Sequence, residues 1–173
     1  MKLPLLGFVL AAGLAAAGCH HAANPTAFNG TFELDTHASR NVPPMMQGHT
    51  SVIHLTETAK TFTIAFVFDG DPLNISKFDL DAKTHPLNVG GPAMGSERAW
   101  RSRDGRTIHL RIHRPGGAGH PGVTENLVFA LGPGGNTIRR TRTVLGGSEP
   151  EQVYIYRRMH LTKPKSTAPS PTT

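Results

Sequence analysis

Few residues in this chain could carry chemistry, and Cys19 stands first among them. It is the single cysteine, so it has no internal disulfide partner. Its neighbourhood narrows what its sulfur can do. Lys2 is followed by a 16-residue apolar run from Leu3 to Gly18 that ends in Ala15-Ala16-Ala17-Gly18. A positive start, an apolar stretch and small residues mark a secretory signal, not a piece of the fold. The run is also shorter than the ~20 residues that a membrane-crossing helix needs.

The other candidates are weaker. His20-His21 sits on a short polar arm, and two adjacent histidines make a poor metal site. Asp69-Gly70-Asp71 reads as a turn, where Asp bonds its own backbone. Asp79-Leu80-Asp81 lacks the ligand spacing of a calcium loop. His109 and His113 share a strand face with Arg111 between them. Four residues along a strand span roughly 13 Å, too far for one metal ion to bridge. Gly116-Gly117 and Gly119 lack the strand-to-helix context of a phosphate loop. No Ser lies in a Gly-x-Ser-x-Gly elbow. An enzyme is therefore not expected, and neither a metal nor another cofactor is implied.

The elements that would position these groups are strands. Thr61 to Phe68 alternates most clearly, with Phe62, Ile64, Phe66 and Phe68 on one face and Thr61, Thr63, Ala65 and Val67 on the other. Ala27–Asp35, Ser51–Glu57, Leu73–Leu80, Glu97–Arg103, Arg106–Arg114, Val123–Leu131, Thr137–Leu145 and Gln152–Met159 read the same way. Trp100, the only tryptophan, lies in the fifth of these nine. Asp69-Gly70 and Asp104-Gly105 are hairpin signals. Ser39-Arg40 is read as a turn, and His85 to Met94 as a loop. No segment between strands is long enough for a crossover helix, so the strands should be antiparallel. A meander of this length exposes two edges unless it closes. The fold expected is all-β: a single up-and-down barrel of about eight or nine strands, with a β-sandwich as the alternative. The organisation expected is a signal over 1–18, a tether over 19–26, the barrel domain over 27–161 and a disordered Pro/Ser/Thr-rich tail over 162–173.

Charge divides along the chain. From His20 to Gly95 there are four Lys/Arg against seven Asp/Glu; from Ser96 onward there are thirteen against five. Eleven of those thirteen are Arg. An exported chain meets anionic lipid and cell-wall polymer, not nucleic acid, so nucleic acid is not an expected partner. Arg139, Arg140 and Arg142 lie on the strand with the densest charge and are the expected core of a basic outer face.

Two resemblances add to this reading. Ala16-Ala17-Gly18-Cys19 resembles the lipobox of bacterial lipoproteins, with Ala16 standing where that motif usually has Leu. The resemblance implies that Cys19 is lipidated and becomes the mature N-terminus, anchored in a membrane. His20 after the cysteine implies the outer membrane, facing the periplasm, in a host that has one. Cleavage after Ala17, at an Ala-x-Ala site, and an uncleaved anchor are the alternatives. Gly30-x-Phe32-x-Leu34 followed by Ser39 resembles the first motif of lipocalin-like barrels. It is closer to that of small exported bacterial proteins with a Gly-x-Trp-x-Leu-x(4)-Ser start, whose function is not established. Asp104-Gly105-Arg106-Thr107-Ile108, Gly134-Gly135-Asn136-Thr137-Ile138 and Val153-Tyr154-Ile155-Tyr156-Arg157 extend the likeness over residues 27–158. In lipocalins the motif Trp packs near an Arg of the final strand; here Phe32 stands in its place, with Arg157 or Arg158 as partner.

The function expected is that of a lipid-anchored envelope barrel without enzymatic activity, holding a small apolar or amphipathic ligand. Phe62, Ile64, Phe66, Phe68 and Trp100 are its expected lining. Barrels of about eight strands either fill with side chains or hold one ligand. The alternative is accordingly a structural or interaction protein with a filled core, its basic face turned to anionic lipid or wall polymer.

Overall fold

The computed structural model describes residues 27–87, 95–117 and 121–159. The signal, Cys19, the tether and the tail lie outside the described residues. Ten strands follow one another: β1 (Gly30–Arg40), β2 (Ser51–Glu57), β3 (Thr61–Phe68), β4 (Asp71–Asp79), β5 (Thr84–Pro86), β6 (Ser96–Arg101), β7 (Thr107–Arg114), β8 (Val123–Leu131), β9 (Thr137–Leu145) and β10 (Gln152–Arg158). All pairings are antiparallel, in the order β4-β3-β2-β1-β10-β9-β8-β7-β6-β5. This is the up-and-down all-β barrel that the alternation predicts, and not a two-sheet sandwich. Pairing of β1 with β10 joins the ends of the chain. The free edges, β4 and β5, do not pair with each other; β4 instead comes against β6. The wall is thus open along one slit.

Two details differ from the sequence reading, and a third agrees with it. The loop expected from His85 contains the end of the three-residue β5, which pairs with Ser96–Arg98 of β6. The first strand runs on to Arg40 through an irregular stretch between Asp35 and Arg40. There the Ser39 hydroxyl donates to the Asp35 carbonyl at 2.6 Å and accepts from the Ile155 amide at 2.9 Å. A side chain so replaces a missing ladder bond, and strand pairing passes the position expected to turn. The first of the expected tight hairpins forms as a turn with φ of +50° at Asp69 and +89° at Gly70. That sign suits Asp-Gly.

Inward alternation builds the core. Phe28, Phe32, Ile53, Phe62, Ile108, Phe129, Ile138 and Tyr156 have no exposed surface. Phe62 meets Phe28 and Phe129 edge-on, with centroids 5.8 and 5.3 Å apart. Glu57 is buried beside them. Its carboxylate pairs with Arg101 at 2.5 Å and accepts from the Phe28 amide at 3.2 Å. Burial pushes the Glu57 carboxyl above the usual range despite those partners. One half of the barrel is therefore packed solid.

Candidate functional site

A pocket of about 370 Å³ lies at the slit, lined by Asn74, Ile75, Ser76, Lys77 and Phe78 of β4, Pro86 and Leu87, Glu97 of β6, and Ile112 and Arg114 of β7. Its position follows from the missing β4–β5 ladder. Phe78, Leu87 and Ile112 are buried and make its apolar floor. Glu97 lies on the same side of β6 as buried Ala99, and burial pushes its carboxyl up. Arg114 reaches Glu125 at 2.9 Å.

β9 and β10 build a polar wall elsewhere in the barrel. Ile138 is fully buried, so two-residue alternation turns Arg140 and Arg142 inward with it. The Arg140 guanidinium carbon lies 4.9 Å from the Tyr154 ring centroid, 5.3 Å from that of Phe66 and 5.9 Å from that of Phe129. Three aromatic faces therefore hold one cation. Among the described residues no carboxylate pairs with Arg140, whereas Arg139 and Arg142 both have acidic partners. The Arg140 Nε and the Tyr156 hydroxyl are both buried without a well-formed hydrogen bond. Arg140 and Ser51 face that hydroxyl, and burial pushes the phenol up. Asn74, on the pocket, is the cross-strand partner of Phe66, whose ring lies under Arg140.

A second polar group borders it. Arg142 donates to Glu125 at 2.5 Å, to Glu149 at 3.1 Å and to Gln152 at 3.2 Å, and the Tyr154 hydroxyl donates to Gln152 at 2.7 Å. Burial pushes the Glu125 carboxyl up, but bonds from Arg142 and Arg114 outweigh it and hold the group below its ordinary value. Arg142 is thus held by its own acids, while Arg140 is held by aromatic rings and the Tyr156 hydroxyl.

The expected site residues are dispersed by this arrangement. Phe62 and Ile64 are sealed in the packed half. Phe66 belongs to the Arg140 cluster. Phe68 stacks on His49 near the end of β3, centroids 5.2 Å apart. Trp100 is on the outside of the barrel, because buried Ala99 fixes the inward parity of β6; its ring stacks on His109 at 5.1 Å. It therefore does not line the interior. Arg139, Arg140 and Arg142 do not form one outer face: Arg139 is exposed, but Arg140 and Arg142 turn inward. The sequence reading missed Asn74, Leu87, Glu97 and Arg114. The spacing Ile138-x-Arg140, with an apolar residue and a cation on one face, was the available signal. Among the described residues no three His, Cys, Asp or Glu side chains gather as a metal site.

No protein-family model matches the chain, and no curated protein matches it. Solved structures do. The chain is similar to a Schistosoma mansoni fatty acid binding protein in complex with arachidonic acid, at 14% identity and TM-score 0.56, covering 79% of this chain and 98% of that one. Fatty-acid-binding protein 1 of Echinococcus granulosus matches at 11% identity and TM-score 0.52, over 78% and 98%. A secretary abundant heat soluble protein of Ramazzottius varieornatus matches at 10% identity and TM-score 0.57, over 80% and 99%. At such identities the likeness establishes the fold alone: a small, antiparallel up-and-down β-barrel.

Proposed function

We propose that this protein is a non-enzymatic barrel that holds one small amphipathic molecule with an acidic head. The observation that carries this reading is Arg140, a cation without a carboxylate partner among the described residues, set among Phe66, Phe129 and Tyr154 beside the buried Tyr156 hydroxyl. A buried cation without a counter-charge is costly, and an incoming carboxylate would supply one to Arg140. The apolar part of the ligand would lie against Phe78, Leu87 and Ile112. A pocket of about 370 Å³ suits a small ligand, since such sites measure roughly 300–1,000 Å³. Two of the similar solved structures are fatty acid binding proteins, which favours an aliphatic acid. The packed half limits how much of a long chain could enter.

The lipobox-like segment before Cys19 supports placing the barrel at a membrane, held by lipid on that cysteine. The test of the ligand reading is displacement of a fluorescent medium-chain fatty acid from the full chain, with native mass spectrometry of the purified protein. Saturable one-to-one binding that Arg140→Met weakens at least tenfold is the expected result. Equal binding by wild type and Arg140→Met would overturn the assignment of the acid head.

A further inference from the structure

Strand alternation sorts charge across the wall of β6 to β9. Glu97 and Glu125 turn inward, while the outward positions carry Arg98 and Trp100 on β6, His109, Arg111 and His113 on β7, and Arg139 on β9. No Asp or Glu faces outward from these four strands. Arg98 and Arg111 are direct cross-strand partners, and neither pairs with a carboxylate among the described residues. Like charges set opposite each other destabilise a sheet. Arg98 lies 5.3 Å from the Trp100 ring centroid, and Arg111 donates to Asn126 at 3.2 Å. Neither contact neutralises charge. On the opposite rim of the slit, β4 turns Leu73 and Ile75 to solvent, 65% and 75% exposed.

We infer that the outer face of β6 and β7, together with the β4 rim of the slit, forms a docking surface for an anionic phospholipid bilayer. Arg98 and Arg111 meet headgroup phosphates, Trp100 suits the headgroup layer, and Leu73 and Ile75 enter the interface. Charge complementarity selects the bilayer as occupant, and the apolar rim beside the cationic one fits its layered chemistry. Docked this way, the slit opens toward the lipid, so a ligand passes between bilayer and pocket without crossing water. That passage rests on the proposed ligand function; the docking itself does not.

The experiment uses the full chain carrying Cys19→Ser, so that no lipid on that residue contributes. Co-flotation is measured with phosphatidylglycerol-containing vesicles and with pure phosphatidylcholine vesicles, at low and high salt. Fatty acid binding without vesicles is measured in parallel. Preference for anionic vesicles that fades with salt is expected, since exposed charge is screened within about 10 Å at 0.1 M. Arg98→Gln with Arg111→Gln should weaken it about tenfold or more, with vesicle-free ligand binding unchanged, and Leu73→Ser should weaken it several-fold. Equal binding to both vesicle types, or no loss in the arginine pair, would overturn the proposal. Self-association abolished by the same substitutions would also overturn it, by making a second copy the occupant. Vesicle docking without fatty acid binding would retain the docking surface and remove the ligand function.

Discussion

The guanidinium carbon of Arg158 lies 4.4 Å from the centroid of the Phe32 ring, and the two residues are cross-strand partners where β1 meets β10. Phe32 is fully buried. Arg158 also donates from Nη1 to the Asn29 carbonyl at 2.7 Å and from Nε to the Gly135 carbonyl at 3.0 Å. One side chain thus ties the start of β1, the turn before β9 and the end of β10. Arg157, the other expected partner, pairs instead with Asp35 at 2.6 Å.

That tie should be measurable. Arg158→Met should cost about 1–3 kcal/mol, because two carbonyls lose a charged donor. A double-mutant cycle with Phe32→Leu in chemical denaturation should give a coupling of about 0.5–1 kcal/mol. Zero coupling would mean that ring and cation are neighbours without interaction. Gly30→Ala should also destabilise: φ is +150° there, and a Cβ would collide with the Arg158 guanidinium.

The β3 stripe should split into two behaviours. Phe62→Ala opens a cavity in the packed half and should cost about 3–5 kcal/mol. Phe66→Ala should cost less, because Phe66 is only partly buried, yet it removes one of the three rings around Arg140. Melting temperature and fatty acid affinity should therefore separate the two variants. A loss of stability by Phe66→Ala as large as that by Phe62→Ala would show the stripe to be one packed unit.

Much of this architecture was legible in the sequence because strand alternation is local. Phe62, Ile64, Ile108, Leu110 and Ile112 reveal their inward parity by apolar character alone. Parity failed where an element was too short or its faces chemically ambiguous. Three-residue β5 carries no periodic signal, and Trp100 looks like core although its neighbour Ala99 is the buried one. Arg140 was misplaced by composition: a dense run of arginines suggests solvent, and only the buried Ile138 two residues earlier says otherwise. The slit could not be read at all, since it is the absence of a pairing between strands distant from most of their partners.

Acid should loosen the open half first. Because Glu125 is held below its ordinary value by Arg142 and Arg114, the stability it provides is present above its unfolded value, about pH 4.3. It is lost as pH falls through the lower folded value. Glu125→Gln should therefore cost about 2 kcal/mol at neutral pH and flatten the acid limb of the stability profile. Urea midpoints from pH 7 to pH 3 check this; parallel curves for variant and wild type would assign the acid sensitivity to other carboxylates.

The proposed membrane attachment through Cys19 has its own readout. Cys19→Ser should release the full chain from the membrane fraction of cells at physiological salt, where rim charges alone bind weakly. Wild-type protein already soluble in that fractionation would remove the anchor.

The Tyr156 hydroxyl offers the sharpest division between a ligand site and a filled core. It is fully buried and lacks a well-formed hydrogen bond. In a purely structural barrel such a hydroxyl would be a defect, so Tyr156→Phe in the ligand-free protein should be neutral or stabilising by up to about 1 kcal/mol. If the hydroxyl and Arg140 together receive an acid head, the same change should weaken fatty acid binding about fivefold to tenfold. Replacing the acid by the matching alcohol should erase the difference between wild type and variant, because the alcohol lacks the charge that both donors are placed to meet. A stabilised variant with unaltered affinity for the acid would show that the hydroxyl never meets the ligand. A variant destabilised by 2 kcal/mol or more would show that it already has a partner in the empty barrel.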